Sequence, residues 1–418
     1  MKRLLLSLTV GFFLGSRDLR RANRWTTLLI IAVMTLTFLN LIVVGGILVG
    51  LIQGSEDANR DRYTGDIIIS NFLTRDYIDR STMLLQAVAS LPGLENYSAR
   101  YIAGGRIEAH YKERTNPRDK IDSAGGLVAG IDPERERAVT HLDRYLVEGA
   151  FLEPNDYDQV LLGSNLLFKY TPIESPGLQT LRDVTIGSRV RLVIGDVRRE
   201  VTVKGIIQSK AGENDQRIFM VDRQLRGLIG RGDYNVDEIS IALVDPNRAA
   251  EAKEWLLARG LDRFSVIQTW FEAQPKFLND IKLTFALLGN VIGTIGLAVA
   301  SITIFIVIFV NAITRRRYIG IAKGIGVSSL AIEFSYIIQS LFYAVSGVVL
   351  GMIIVFAFLK PYIAAHPINF PFSDGILVAT FSGTMIRAAI LLIATVVAGY
   401  IPAKIVIRGN TLDAILGR

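Results

Sequence analysis

The 418-residue chain contains no cysteine, which excludes disulfides, thiolate catalysis and cysteine-ligated metals. Half of its residues are apolar and 20% are charged, and the mean hydropathy is +0.36, so apolar runs and charge are segregated along the chain. The net charge of +7 does not call for nucleic acid: much of the excess lies beside apolar segments, where cations sort to the inner side of a membrane.

Residues 1–24 combine Lys2, Arg3 and the apolar run LLLSLTVGFFLG with Arg17, Arg20, Arg21 and Arg24. A cleaved signal peptide fits the charged start, but no small-x-small site follows Leu14 and the next residues are cationic. The expectation is an amphipathic helix on the cytoplasmic face of a bilayer. Residues 25–52, Trp25 to Ile52, lack any ionisable side chain and predict a first transmembrane helix. Its 28 residues would extend about 42 Å against a hydrocarbon core of about 30 Å, so an outward stalk is expected.

Residues 53–280 are polar and mixed. Strands are expected at Asp66–Ser70, Arg106–Tyr111, Gly126–Ile131, Arg189–Ile194, Glu200–Ile207 and Glu238–Val244. Helices are expected at Tyr77–Leu91, stopped by Pro92-Gly93, and at Ala249–Arg259, stopped by Gly260. Lys112 to Gly125 reads as an exposed loop. The stretch is a large α+β extracytoplasmic domain inserted between spans 1 and 2.

Residues 281–311 form the second expected span. The basic stretch 312–330 follows, with Arg315, Arg316, Arg317 and Lys323 and no acid from Arg315 to Ser329. A third span is expected over 331–359, a proline-rich outer loop over 360–375, a fourth span over 376–402 ending at Pro402, and a cytoplasmic tail over 403–418. The fold class is therefore membrane α-helical with four transmembrane helices, and every inner segment is basic. Three small-x3-small pairs, Gly46/Gly50, Gly289/Gly293 and Gly347/Gly351, are candidate helix-packing sites, placed in or near the outer-leaflet half. Arg387 is the one charge well inside a span. Fifteen residues before Pro402, it lies about 22 Å from the inner end, where it snorkels to the outer surface or contacts lipid or substrate.

Motifs for catalysis are missing. There is no Gly-x4-Gly-Lys-Ser/Thr loop, no His-Glu-x-x-His pair and no Gly-x-Ser-x-Gly elbow. His110, His141 and His366 are scattered, so neither a catalytic nor a metal site is expected.

The stretch Tyr318 to Ser328, YIGIAKGIGVS, resembles the signature "E-I-G-I-x-[RK]-A-x-G-[AV]-S" of FtsX-like ABC-transporter permeases, with Tyr318 in place of the acid. Further similarities lie in Arg24 and the apolar run after it, Gly130-Ile131-Asp132-Pro133, Glu148-Gly149, Val160 to Ser164, Val184 to Val193 and Val201 to Ile207. Gln268-Thr269-Trp270 resembles the stretch that lipoprotein-releasing permeases carry before their second span. Tyr400 to Lys404 and Asn410 to Leu416 are similar to the family's closing motifs.

The resemblance implies that this chain is a non-catalytic permease subunit and that two copies of a separate ATPase bind ATP and magnesium. It also implies that the loop is a coupling helix, with Arg315, Arg316, Arg317, Tyr318, Gly320, Lys323, Gly324 and Gly326 as docking residues. Work on lipoproteins or other lipid-like, amphipathic cargo is the expected function. Alternatives are adaptor-linked efflux, a mechanotransmission subunit regulating a cell-wall hydrolase, and a receptor without an ATPase. Because Tyr318 replaces the acid, a second, unlike permease subunit is expected, with a homodimer as the alternative. A periplasmic adaptor or lipoprotein carrier and membrane lipid complete the candidate partners; nucleic acid is not among them.

Overall fold

The computed structural model describes residues 2–112, 122–172, 179–370, 373–375 and 377–408. They fall into two units. One comprises residues 1–52, 280–369 and 374–418; the other comprises residues 53–279 with 370–373.

Helix α1 (Lys2–Arg21) is followed by α2 (Arg24–Asn59), whose end tightens into a π turn over Arg60–Thr64. The apolar residues up to Ile52 make α2 a span by length and composition, and the helix continues unbroken through the polar stretch that follows.

The second unit is a mixed-sheet α+β fold. Its elements in chain order are β1 (Ile67–Ser70), α3 (Ser81–Ala89), β2 (Leu94–Ala109), β3 (Asp122–Ile131), α4 (Pro133–Thr140), β4 (Leu146–Gly149), β5 (Gln159–Gly163) and β6 (Arg189–Ile194). Then come β7 (Val197–Ile207), α5 (Gly212–Asp215), β8 (Arg217–Val221), α6 (Asp222–Leu228), β9 (Glu238–Leu243), α7 (Ala249–Leu257) and β10 (Val266–Thr269). The long strand β2 serves two sheets. Its first half, Leu94–Arg100, pairs with β9, and β1 and β10 extend that layer. Its second half pairs with β3 from Tyr101 onward and with β6 from Arg106 to Glu108. The pairings β2–β3–β8–β5–β7–β6–β2 close a ring, so these strands form a small barrel, filled by Ile107, Val128, Leu162, Val203, Ile218 and their neighbours. The other layer buries its own core beneath α3 and α7, around Ile67, Leu84, Ile239, Ile241 and Leu256.

Four charged side chains meet where β2 passes from one sheet to the other, three of them buried and Glu238 nearly so. Arg100 is fully buried and donates from Nη2 to Glu136 Oε1 (2.6 Å) and from Nε to Oε2 (3.0 Å). Ser98 Oγ and Thr140 Oγ1 also donate to that carboxylate, at 2.7 and 2.8 Å. Arg217 donates to both oxygens of Glu238, at 2.7 and 2.8 Å. The π turn enters this cluster: the Tyr63 carbonyl accepts from Arg100 Nη2 (2.8 Å) and from Ser240 Oγ (2.9 Å). Burial alone would raise both acids, but the charge of Arg217 and its hydrogen bonds hold Glu238 down at about 2, and Arg100 likewise holds Glu136 below its ordinary value.

The chain then runs through α8 (Lys276–Thr314), α9 (Arg316–Gly324) and α10 (Ser329–Ile353). After α10 come a π-helical stretch over Ile354–Leu359, α11 (Lys360–Ala365), the short hairpin β11 (Ile368–Phe370) and β12 (Ser373–Gly375), and α12 (Phe381–Ile407). Helices α2, α8, α10 with its continuation, and α12 are each long and apolar enough to cross a membrane.

Several boundaries differ from the sequence-based expectation. Strand β2 starts twelve residues before the expected Arg106, because Gly104 and Gly105 interrupt its alternating pattern while its backbone pairing continues. Tyr111 lies beyond β2, whose end is turned by His110 at φ 51°. Of the expected loop Lys112 to Gly125, Asp122 to Gly125 belong to β3, and residues 113–121 lie outside the described residues. Helix α4 was not expected. Asp132 caps it by accepting from Glu134 N and Arg135 N, Pro133 takes the first turn, and its charged sequence hides a fully buried Glu136. The outer loop begins as helix α11 rather than as coil. The helix of the fourth expected span continues past Pro402, running through the proline to Ile407; one lost donor is tolerated inside a packed bundle. The closing motif Asn410 to Leu416 lies outside the described residues.

Candidate functional site

Helix α9 is a nine-residue element set between two spans and held at both ends. At its start, Arg315 donates to Asp18 of α1 (2.5 Å). The fully packed Gln339 of α10 reaches Asp18 with its Nε2 (3.5 Å) and accepts from Asn311 Nδ2 of α8 with its Oε1 (3.3 Å). One polar cluster thus ties the helix start to three others. At its far end, Gly326 at φ 99° sends its N–H to Lys323 O (3.0 Å), and Val327 N bonds to Ala322 O, a closure that a left-handed glycine permits. Ser328 then caps α10 by accepting from Ala331 N (3.3 Å).

The docking residues expected from sequence separate into two groups. Gly320 is buried beside Ile319, against the bundle. Lys323 is turned inward, where its Nζ donates to Ile407 O at the C-terminus of α12 (2.8 Å), satisfying a carbonyl the helix leaves open. Arg315 is half-buried in the Asp18 pair. On the outer side lie Arg316, Arg317, Tyr318, Gly324 and Gly326, with open space around both glycines. Tyr318 (74% exposed), Ile321 (45%) and Ile325 (78%) are spaced three and four apart, so they share one face. That face is apolar and rimmed by cations.

The expected packing glycines are also placed. A Cβ on Gly347 would lie 2.5 Å from Met34 Cβ and 3.0 Å from the backbone of α2, and one on Gly351 would lie 2.4 Å from the Phe38 ring. This is close packing of α10 on α2. It lies opposite residues nine to thirteen positions past Trp25, roughly 14–20 Å up the helix. Gly46 meets the backbone of Val378 and the side chain of Leu377, and Val378 N donates to Gly46 O (3.1 Å). Gly50 is buried. Gly289 and Gly293 make looser contacts with Leu48 and Leu41. Sequence reasoning missed the pair that brings α1 onto α10: Gly11 and Gly15 approach the carbonyls of Ala331 and Ser335, within 2.7 and 2.9 Å of an added Cβ. It also missed Asp18, although this is the only acid in the first 55 residues.

Residues 290–411 match the model of the FtsX-like permease C-terminal domain. Over that stretch the chain is similar to FtsX-like permeases. The match takes in most of α8, all of α9 and α10, and α12, and so contains every expected docking residue, while their partner Asp18 in α1 lies outside it. No curated protein matches the chain. Among solved structures, it is similar to the extracellular domain of the noncanonical ABC-type transporter YknZ from Gram-positive bacteria. The identity is 13% and the TM-score 0.31, over 48% of this chain and 100% of that one. It is also similar to the periplasmic region of MacB from Actinobacillus actinomycetemcomitans, at 12% identity and a TM-score of 0.33, over 51% of this chain and 92% of that one. Likeness at these scores carries no functional argument.

Proposed function

We propose that this chain is the transmembrane subunit of an ABC-type machine, docking a separate ATPase at α9 and passing its movement through the spans to an extracytoplasmic unit. The observation that carries this reading is the outer face of α9. Tyr318, Ile321 and Ile325 leave an apolar strip in the open beside Arg316 and Arg317, a cost that makes sense when a partner covers it. Helix α9 is bonded to α1 through Arg315 and Asp18 and to α12 through Lys323, and Gln339 links Asp18 on to α10 and α8, so a push on the helix reaches all four. ATP and magnesium belong to the ATPase, and two copies would serve a pair of permeases.

Lipid-anchored or amphipathic cargo is the proposed substrate class, in keeping with the Gln268-Thr269-Trp270 stretch. The position of Tyr318 supports an unlike partner permease. It is fully available for docking but supplies no carboxylate, so a second subunit carrying the acid would complete the ATPase contact. Reporter fusions at Gly212 and Pro367 are expected outside, and those at Arg316 and Arg418 inside. Reversing charge at Arg316 and Arg317 together with Ile325→Asp is expected to abolish ATPase stimulation while the protein still inserts. Unchanged complex formation and turnover in that variant would overturn the docking role.

A further inference from the structure

Arg387 lies six residues into α12, about 9 Å along the helix axis from Phe381. Among the described residues its guanidinium has no hydrogen-bond or ion-pair partner, although the side chain is only partly exposed. It rests instead across α2: a Cβ on Gly45 would stand 2.8 Å from Arg387 Nη2 and 3.3 Å from Cζ, so only glycine leaves it this bed. The neighbouring Gly46 fixes the approach through its hydrogen bond from Val378 N, just before α12 begins. Beside the arginine, Ile386 (63% exposed) and Ile390 (46%) begin an apolar stripe on α12 that points away from the bundle.

We infer that Arg387 on its Gly45 bed is a binding site for the phosphodiester of a phospholipid, with the acyl chains lying along Ile386 and Ile390. An unpaired guanidinium at the edge of hydrocarbon needs an anion, and a phosphate offers it two parallel acceptors. The depth suits this. Counted from Phe381 the arginine is near one end of the span, within reach of headgroups, while the stripe continues toward mid-membrane where the tails run. Dissolved inorganic phosphate shares the charge but has no chains to occupy the stripe. The inference rests on α2 and α12 being spans and is independent of ATPase docking.

The test uses the full-length chain, delipidated in detergent and titrated with phosphatidylglycerol, with diacylglycerol of the same chains and with inorganic phosphate, bound lipid being counted by native mass spectrometry. Wild type is expected to retain phosphatidylglycerol at least tenfold more tightly than diacylglycerol, with inorganic phosphate failing to displace it. Arg387→Gln is expected to lose about that tenfold, the loss of one charge-assisted contact, and Arg387→Lys to recover part of it. Gly45→Val fills the bed and meets only the mobile tip of the arginine, so it is expected to fold and to weaken retention. Equal phosphatidylglycerol retention by wild type and Arg387→Gln would overturn the site. So would displacement by inorganic phosphate alone, or an Arg387→Gln effect on subunit pairing with lipid binding unchanged. A fusion at Pro367 reporting the inner side would overturn the spans instead.

Discussion

Glu136→Gln is the perturbation that most directly tests how the second unit is held together. The carboxylate accepts two hydrogen bonds from Arg100 and one each from Ser98 and Thr140, and both charged partners are wholly buried. An amide keeps the shape but turns an NH2 group toward donors and leaves the Arg100 charge with only Glu238, 3.4 Å away and already shared with Arg217. Breaking such a buried pair from one side costs about 3–5 kcal/mol. Native-state hydrogen exchange on the full chain should show that loss in the slowest amides of β2 and β9, whose pairing brackets the cluster. Replacing the set by apolar groups, Arg100→Met with Glu136→Leu and Ser98→Ala, removes every unpaired charge and is expected to restore most of the protection. A loss below about 1 kcal/mol for Glu136→Gln would refute the reasoning, because it would mean that water or a rearranged partner already satisfies Arg100.

The pH dependence of the same unit has a definite sign. Burial raises Asp215 and Asp237 from 3.8 to about 6, so each contributes stability that is present below 3.8 and lost as pH rises through about 6. Glu238, lowered to about 2, contributes above 4.5 and loses it as pH falls toward 2; two aspartates outweigh it above about pH 4, so thermal melts followed by Trp255 and Trp270 emission should peak at about pH 4 and fall toward pH 6. Asp237→Asn should flatten the upper limb, and a stability maximum at neutral pH would count against the assignment. In the membrane unit, Gly347→Val drives a methyl into Met34 and the α2 backbone and should cost about 1–3 kcal/mol, read as a lower temperature for loss of monodisperse protein in detergent. Gly289→Ala, whose nearest neighbour is Leu48 Cδ1 at 3.5 Å, should be tolerated; equal sensitivity of the two would contradict the close packing of α10 on α2.

What could be seen in the sequence, and what was hidden, follows from how local each signal is. The spans are legible because apolarity itself places a helix in a bilayer, and Arg189–Ile194 is legible because its residues alternate within one short strand. Helix α4 was hidden because PERERAVT reads as a solvated surface. Its buried Glu136 makes sense only beside Arg100, 36 residues earlier in the chain. Asp18 was hidden for the same reason, since its partners Arg315 and Gln339 are about three hundred positions away, although a lone acid among so many cations was a usable clue.

The α9 motif shows the limit most clearly. Its composition singles out the segment, but a nine-residue helix has two faces, and an error of one position in its start rotates every side chain by about 100°. Lys323 and Arg317 are equivalent cations in the sequence. In the fold one closes the end of α12 through Ile407 O, 84 residues on, and the other faces outward with Tyr318. The cations that a partner can meet are therefore those the bundle has not already used, and that division is a property of tertiary packing rather than of the motif.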